Sequence, residues 1–72
     1  MKLYALAIGA KKLTIDSVIM KVCAIVVIAV SDTEAVGLGI QTAKEEWPVN
    51  EWQDHYAAFC EIPTELIAKA LE

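Results

Sequence analysis

The residues best suited to chemistry are concentrated in one segment, "WPVNEWQDHY" (residues 47–56). Histidine is the residue type that most readily exchanges protons near neutral pH, and His55 is the only histidine in the chain. Indole and phenol rings beside a histidine are typical of small ligand or acid–base sites. The segment therefore predicts a candidate ligand-binding site made of Trp47, Trp52, His55 and Tyr56.

A structural interpretation of the same segment is simpler, and we favour it. Trp47 and Trp52 would close the end of a hydrophobic core, and His55 would be a solvated residue at the start of a strand. The two interpretations differ in one property, which is whether His55 and Tyr56 converge on an open pocket.

Metal, cofactor and nucleophile chemistry find little support in the sequence. A zinc site needs three or four converging ligands, and the chain offers one histidine with two separated cysteines, Cys23 and Cys60. Both cysteines have apolar neighbours, so we predict buried free thiols, with a disulfide across adjacent strands as the alternative. No serine has a histidine and an acid at a suggestive spacing. We therefore expect no metal and no cofactor, identify no catalytic residue, and leave open whether the protein is an enzyme.

The composition predicts a single domain over residues 1–72 that associates with other copies of itself. A domain of 72 residues buries a small share of its surface, yet 57% of the residues are hydrophobic. This is more apolar material than one small globule hides, so we expect a homo-oligomer, most simply a homodimer.

Charge is distributed unevenly along the chain. Four of the six lysines lie in residues 1–30 with Asp16 as the one acid there, and the other nine acids lie in residues 31–72. There is no arginine, the residue type that reads phosphates and guanines with two hydrogen bonds. We therefore expect no nucleic-acid partner, whereas acidic helices could recognise another protein.

The most apolar stretch runs from Val18 to Val30 and raises the question of a membrane anchor. It is interrupted by Lys21, is shorter than the roughly 20 residues that cross a bilayer, and is rich in β-branched residues, so it predicts a buried strand. Ser31 and Glu34 follow it with the spacing of a helix capping box. No signal peptide is evident at the N-terminus, so we expect a cytoplasmic protein without a membrane partner.

Alternating and helical patterns predict five elements in the order β-β-α-β-α. The first strand is expected to end at Gly9, and the helix after Ser31 should bury a stripe containing Val36, Ile40, Ala43 and Trp47. Packing against the strands is expected to explain both glycines of that helix, Gly37 and Gly39. The remaining elements are a connection over residues 10–20 that could extend the hairpin, a second strand over 21–30, a third strand over 55–62, and a last helix from Pro63 that must dock on something.

This order predicts an α+β fold with a three-stranded sheet. A strand, helix, strand unit usually crosses over right-handed, which places the third strand parallel to the second and, if the first strand lies between them, antiparallel to the first. The arrangement is half of a ferredoxin-like fold packed as a homo-oligomer. It leaves the apolar second strand at an edge, where a partner must cover it.

Three segments, "MKLYALAIG", "AIVVIAVSDTEA" and "CEIPTELI", resemble those of small uncharacterised bacterial α+β proteins of the kind carried on phages and mobile gene cassettes. The resemblance implies a fold and supplies no active site. Two functional hypotheses follow from the residues. The first is a homo-oligomeric binding or interaction module without a catalytic site, and the alternative is a small dimeric enzyme or small-molecule binder with a pocket between subunits near His55 and Trp52.

Overall fold

The structure, a computed structural model, describes residues 1–71 and has an α+β fold. The five elements occur in the predicted order and form one three-stranded sheet and two helices. Their bounds are β1 Lys2–Leu13, β2 Val18–Ala29, α1 Asp32–Glu46, β3 Gln53–Ile62 and α2 Thr64–Ala70.

The strands lie in the order β2-β1-β3, so the first strand is central. Both β2 and β3 run antiparallel to β1, which makes them parallel to each other. This confirms the predicted strand directions, and it confirms that β2 is an edge strand.

The first hairpin is longer than predicted, because β1 continues past Gly9 to Leu13. Gly9 makes room and does not end the strand: a Cβ at this position would lie 2.5 Å from Cζ of Tyr56 and 2.6 Å from the carbonyl oxygen of Lys21. The turn is closed by Thr14, whose backbone N–H donates to the Ser17 carbonyl at 2.8 Å and whose Oγ1 accepts from the Ser17 N–H at 3.0 Å.

The core lies between one face of the sheet and α1. Tyr4, Leu6 and Ile8 alternate along β1 and are at most 2% exposed. Opposite them, α1 buries its small residues Ala35, Gly39 and Ala43, which are spaced one turn apart. The predicted stripe of Val36, Ile40, Ala43 and Trp47 therefore lies to one side of the buried face of α1, since all of these except Ala43 are only half-buried.

The two helix glycines have different surroundings. A Cβ on Gly39 would lie 2.9 Å from the Cβ of Ala57, so this glycine allows α1 to approach the sheet closely. Gly37 is exposed, and a Cβ there would meet nothing within 4 Å. The prediction of a packing role is thus confirmed for Gly39 and wrong for Gly37, because Gly37 lies on the solvent side of the helix.

The start of α1 is fixed by two side-chain hydrogen bonds. The Glu34 backbone N–H donates to Oγ of the N-cap Ser31 at 3.2 Å, which is one of the two hydrogen bonds of the predicted capping box. The hydroxyl of Tyr4 donates to Oδ1 of Asp32 at 2.9 Å. Burial of the ring, together with the hydrogen bond and the negative charge of Asp32, raises the pKa of Tyr4 to about 12.

The two thiols are free, as predicted, but the prediction that they are buried is wrong, since both are exposed. Cys23 pairs with Ile8 and Cys60 pairs with Ala5, so the two side chains lie on opposite faces of the sheet. Cys23 is exposed because β2 is an edge strand, and Cys60 because its face has no helix over its centre. Since β1 separates β2 from β3, the alternative of a disulfide across adjacent strands is also wrong.

The last helix packs only weakly on the rest of the chain. α2 has seven residues, none of them buried, and Leu66 is 57% exposed. Its one half-buried side chain is Ile67. Among residues 1–71, neither helix has the length and apolar content that crossing a membrane would require.

Candidate functional site

The residues predicted to form a site lie at the C-terminal end of α1, but they do not all lie together. The rings of Trp47 and Trp52 are 6.4 Å apart, centroid to centroid. His55 contacts the end of α1 beside them, whereas Tyr56 lies over Gly9 on the other face of the sheet. The structure therefore groups Trp47, Trp52 and His55 and separates Tyr56 from them.

His55 holds the end of α1. Its Nε2 lies 2.6 Å from the carbonyl oxygen of Trp47, the residue that ends the helix. Because a carbonyl only accepts, Nε2 carries the proton and donates. This satisfies a carbonyl that a helix end otherwise leaves without a partner. His55 is half-buried as a result, which differs from the solvated histidine of the structural interpretation.

Lysines from β1 complete this end of the molecule. Nζ of Lys12 lies 5.7 Å from the ring centroid of Trp52, within range for a cation–π contact. Nζ of Lys11 lies 2.7 Å from Oδ2 of Asp54. Asp54 has φ of 52°, the left-handed region that aspartate tolerates better than most residues, and the pairing of β1 with β3 shifts register between Gly9 and Lys11.

The nearest surface depression is shallow and involves few of the predicted residues. It has a volume of about 230 Å³, and of the four predicted residues it includes Trp52 alone. Its other lining residues are Leu13, Val49, Asn50, Glu51 and Gln53.

The second face of the sheet is apolar, and α1 does not cover it. Alternation and register place on this face every second residue of each strand. Val22, Val26 and Ile28 on β2 are each about 60% exposed. We call this surface the open face; it consists of Leu3, Ala5, Ala7, Gly9, Lys11, Leu13, Val18, Met20, Val22, Ala24, Val26, Ile28, Tyr56, Ala58, Cys60 and Ile62, among which Lys11 is charged.

The centre of the open face has small side chains. Ala5 and Ala7 on β1, together with Ala24, Ala58 and Cys60, line a shallow depression. Larger side chains stand on the edge strand β2, and the Tyr56 ring lies over Gly9. The centre of the sheet is therefore accessible to side chains of another molecule.

A deeper groove lies at one end of the open face, beneath α2. Its apolar lining consists of Met1, Leu3, Ile28, Ile62 and Ile67, and its volume is about 480 Å³. We call it the α2 groove. Nζ of Lys2 and Oε1 of Glu61 form an ion pair at 3.3 Å on its rim.

The exposed side chains of the open face are mostly apolar. Residues 1–71 contain no group of three histidine, cysteine or acidic side chains that could hold a metal ion. The open face places no acid, base and nucleophile together, and its exposed area is mostly aliphatic. Sequence reasoning identified the apolar β2 but missed the α2 groove, whose residues come from four separate elements and leave no local signal.

Comparison with protein families, with curated proteins and with solved structures found no match to this chain. The resemblance to small bacterial α+β proteins therefore stays a prediction, and the functional argument depends on the geometry of the molecule.

Proposed function

We propose that this protein is a cytoplasmic, non-enzymatic interaction module that forms a homo-oligomer, most simply a dimer, by burying its open face. The observation that carries the proposal is the open face itself: all three strands present apolar side chains on it along most of their length, and those of β2 are exposed to solvent. Exposed apolar surfaces of this extent are typical of association sites.

The surface area of the single chain supports the proposal. A compact monomer of 7.9 kDa is expected to expose about 4,400 Å², and this chain exposes 5094 Å². The excess of about 700 Å² is close to the roughly 800 Å² that each partner buries in a standard protein interface. One dimer contact would therefore bring the exposed area to the value expected of a folded protein.

The shape of the chain supports it as well. The Cα atoms extend 50 × 21 × 14 Å with a radius of gyration of 14.5 Å, against about 11 Å for a compact domain of this length. The molecule is one sheet with one helix layer, and a second copy on the open face would give a layered core covered on both sides.

The strand order also fits half of a ferredoxin-like fold, in which helices cover one face of the sheet. In a dimer formed through the open face, the exposed side of α1 faces outward, with Glu34, Gln41, Lys44 and Glu45 in solvent. We propose that this largely acidic surface recognises another protein, since complementary charge steers and selects partners.

The oligomeric state tests the proposal. Light scattering of the wild type at micromolar concentration is expected to give twice the 7.9 kDa mass of the chain. Val26→Lys places a charge in the open face and is expected to give a monomer. Val49→Lys is the matched control, because Val49 is 66% exposed and lies outside the open face. A monomeric wild type would contradict the proposal.

The alternative function, a small enzyme or small-molecule binder with a site near His55 and Trp52, has less support. Tyr56 lies on the opposite face, and the His55 Nε2 proton is already donated to Trp47. Saturable changes in tryptophan fluorescence with a small molecule, lost in His55→Ala, would put this alternative first.

A further inference from the structure

We infer that the two copies pack antiparallel, so that the hairpin tip of each copy (residues 13–18) fills the α2 groove of the other. This inference depends on the proposed function, since it specifies how the open faces meet. It names the occupant of the groove as a segment of a second copy of this chain.

The tip and the groove lie at opposite ends of the same face. Leu13 pairs with Val18 at one end of the hairpin, and Leu3 pairs with Ile28 at the other. All four side chains belong to the open face, as their parity along the strands shows. A second copy turned end to end therefore brings its tip over the groove.

The tip has the composition of a segment that is buried in an assembly. Ile15 is 99% exposed, Leu13 is 59% exposed and Val18 is 54% exposed. A solvated turn has no physical need for three large aliphatic side chains, whereas the α2 groove offers an apolar lining of matching kind.

Side-chain sizes are complementary near the centre of this arrangement. A two-fold axis lies between the sheets, runs across the strands and passes over Ile8. It places Leu13 of one copy over Leu3 of its partner, where two aliphatic side chains meet. It also places Val22 over Ala24 and Tyr56 over Ala58, so a large side chain meets a small one at these two positions, across sheets packed about 10 Å apart.

The α2 groove selects between the two ways in which the faces could meet. An axis along the strands would put tip beside tip, so that neither groove would receive a tip. The axis across the strands puts each tip over the groove of the partner copy, at the end where Leu3 pairs with Ile28.

Distances between spin labels test the arrangement. In a Cys23→Ala, Cys60→Ala background, a label on Asp16→Cys reports the distance between the two tips. The antiparallel dimer is expected to give about 50 Å, from the rise of about 3.4 Å per residue on both sides of the axis. A distance below about 20 Å would overturn the antiparallel arrangement and leave the dimer standing.

A control label on Gln41→Cys, on the exposed side of α1, distinguishes the remaining outcomes. Face-to-face sheets separate the two helix layers, which gives roughly 40 Å between these labels. A distance below about 25 Å would mean that β2 pairs with β2 at the sheet edge, and it would overturn the inference. No dipolar signal from either label, with a monomeric mass, would contradict the proposed function itself.

One further variant tests the tip without disturbing the fold. Ile15→Lys alters a side chain that contacts little in the single chain, so the monomer should keep its stability. The dissociation constant of the dimer is expected to rise about 100-fold or more, because two apolar contacts are lost per dimer. Unchanged dimer affinity would show that the tip lies outside the interface.

Discussion

The two faces of the sheet have similar apolar compositions, but a helix covers only one of them. On the α1 face, Tyr4, Leu6 and Ile8 are at most 2% exposed, whereas on the open face Val22 and Val26 are about 60% exposed. Both sets of residues are apolar, and both alternate regularly along their strands. The difference arises because the chain has one long helix, which covers one side of a sheet that has two apolar sides.

The faces also place their large side chains differently. On the α1 face the large residues that are fully buried belong to the central strand, and the helix meets them with Ala35, Gly39 and Ala43. On the open face the central strand has the small residues Ala5 and Ala7. The α1 face is thus packed by a helix of the same chain. The open face has a depression at its centre, into which side chains of another molecule could pack.

The largest expected effect separates folding from association. Leu6→Ala removes a side chain that is 2% exposed on the α1 face and is expected to lower the free energy of unfolding by about 2–5 kcal/mol. The loss should be the same at every protein concentration, because Leu6 lies within one chain. Urea unfolding at two concentrations measures it, with Leu38→Ala on the exposed side of α1 as the control; equal losses in the two variants would contradict this account of the core.

A smaller effect is expected at the start of α1, which positions the covering helix. Ser31→Ala removes the acceptor of the Glu34 N–H and should lower the free energy of unfolding by about 1 kcal/mol. Glu34→Ala should cost less, since the capping bond in the structure is the one that Ser31 accepts. Equal unfolding curves for Ser31→Ala and the wild type would place the helix start elsewhere.

The last expected effect is a pH dependence on the α1 face. The pKa of Tyr4 is raised from 10.0 to about 12 in the folded protein, so its contribution to stability is complete below pH 10. That contribution is lost as the pH rises through 12, where the phenol ionises beside Asp32. The stability difference between the wild type and Tyr4→Phe should therefore shrink between about pH 10 and 12. A constant difference across that range would contradict this role for the hydrogen bond.

Most of the fold could be predicted because local patterns specify it. Alternation identified the strands, and the capping pattern at Ser31 located the start of α1. Two errors came from contacts that are distant in the sequence. Gly9 has the pattern of a strand end until Tyr56, far along the chain, is known to lie over it. Exposure of Cys23 and Cys60 depends on which parts of the sheet lack a cover, and no local pattern records that.

The candidate site was harder to predict than the fold. His55 and Tyr56 are neighbours in the sequence, but adjacent residues in a strand point to opposite faces, and the structure separates them accordingly. The α2 groove combines Leu3, Ile28, Ile62 and Ile67 from four elements. Its position follows from strand register and from the placement of α2, neither of which the sequence pattern specifies.

The most direct test of the covered open face uses the two natural cysteines, which are both exposed in the single chain. Cys60 lies on the open face and Cys23 on the other side of the sheet, so thiol labelling of the native protein, followed by mass spectrometry, compares the two faces in one sample. We expect Cys60 to react much more slowly than Cys23 at concentrations where the mass is that of a dimer, and to react at a similar rate after dilution to the monomer. Rapid labelling of Cys60 in the dimer would contradict the claim that association buries the open face.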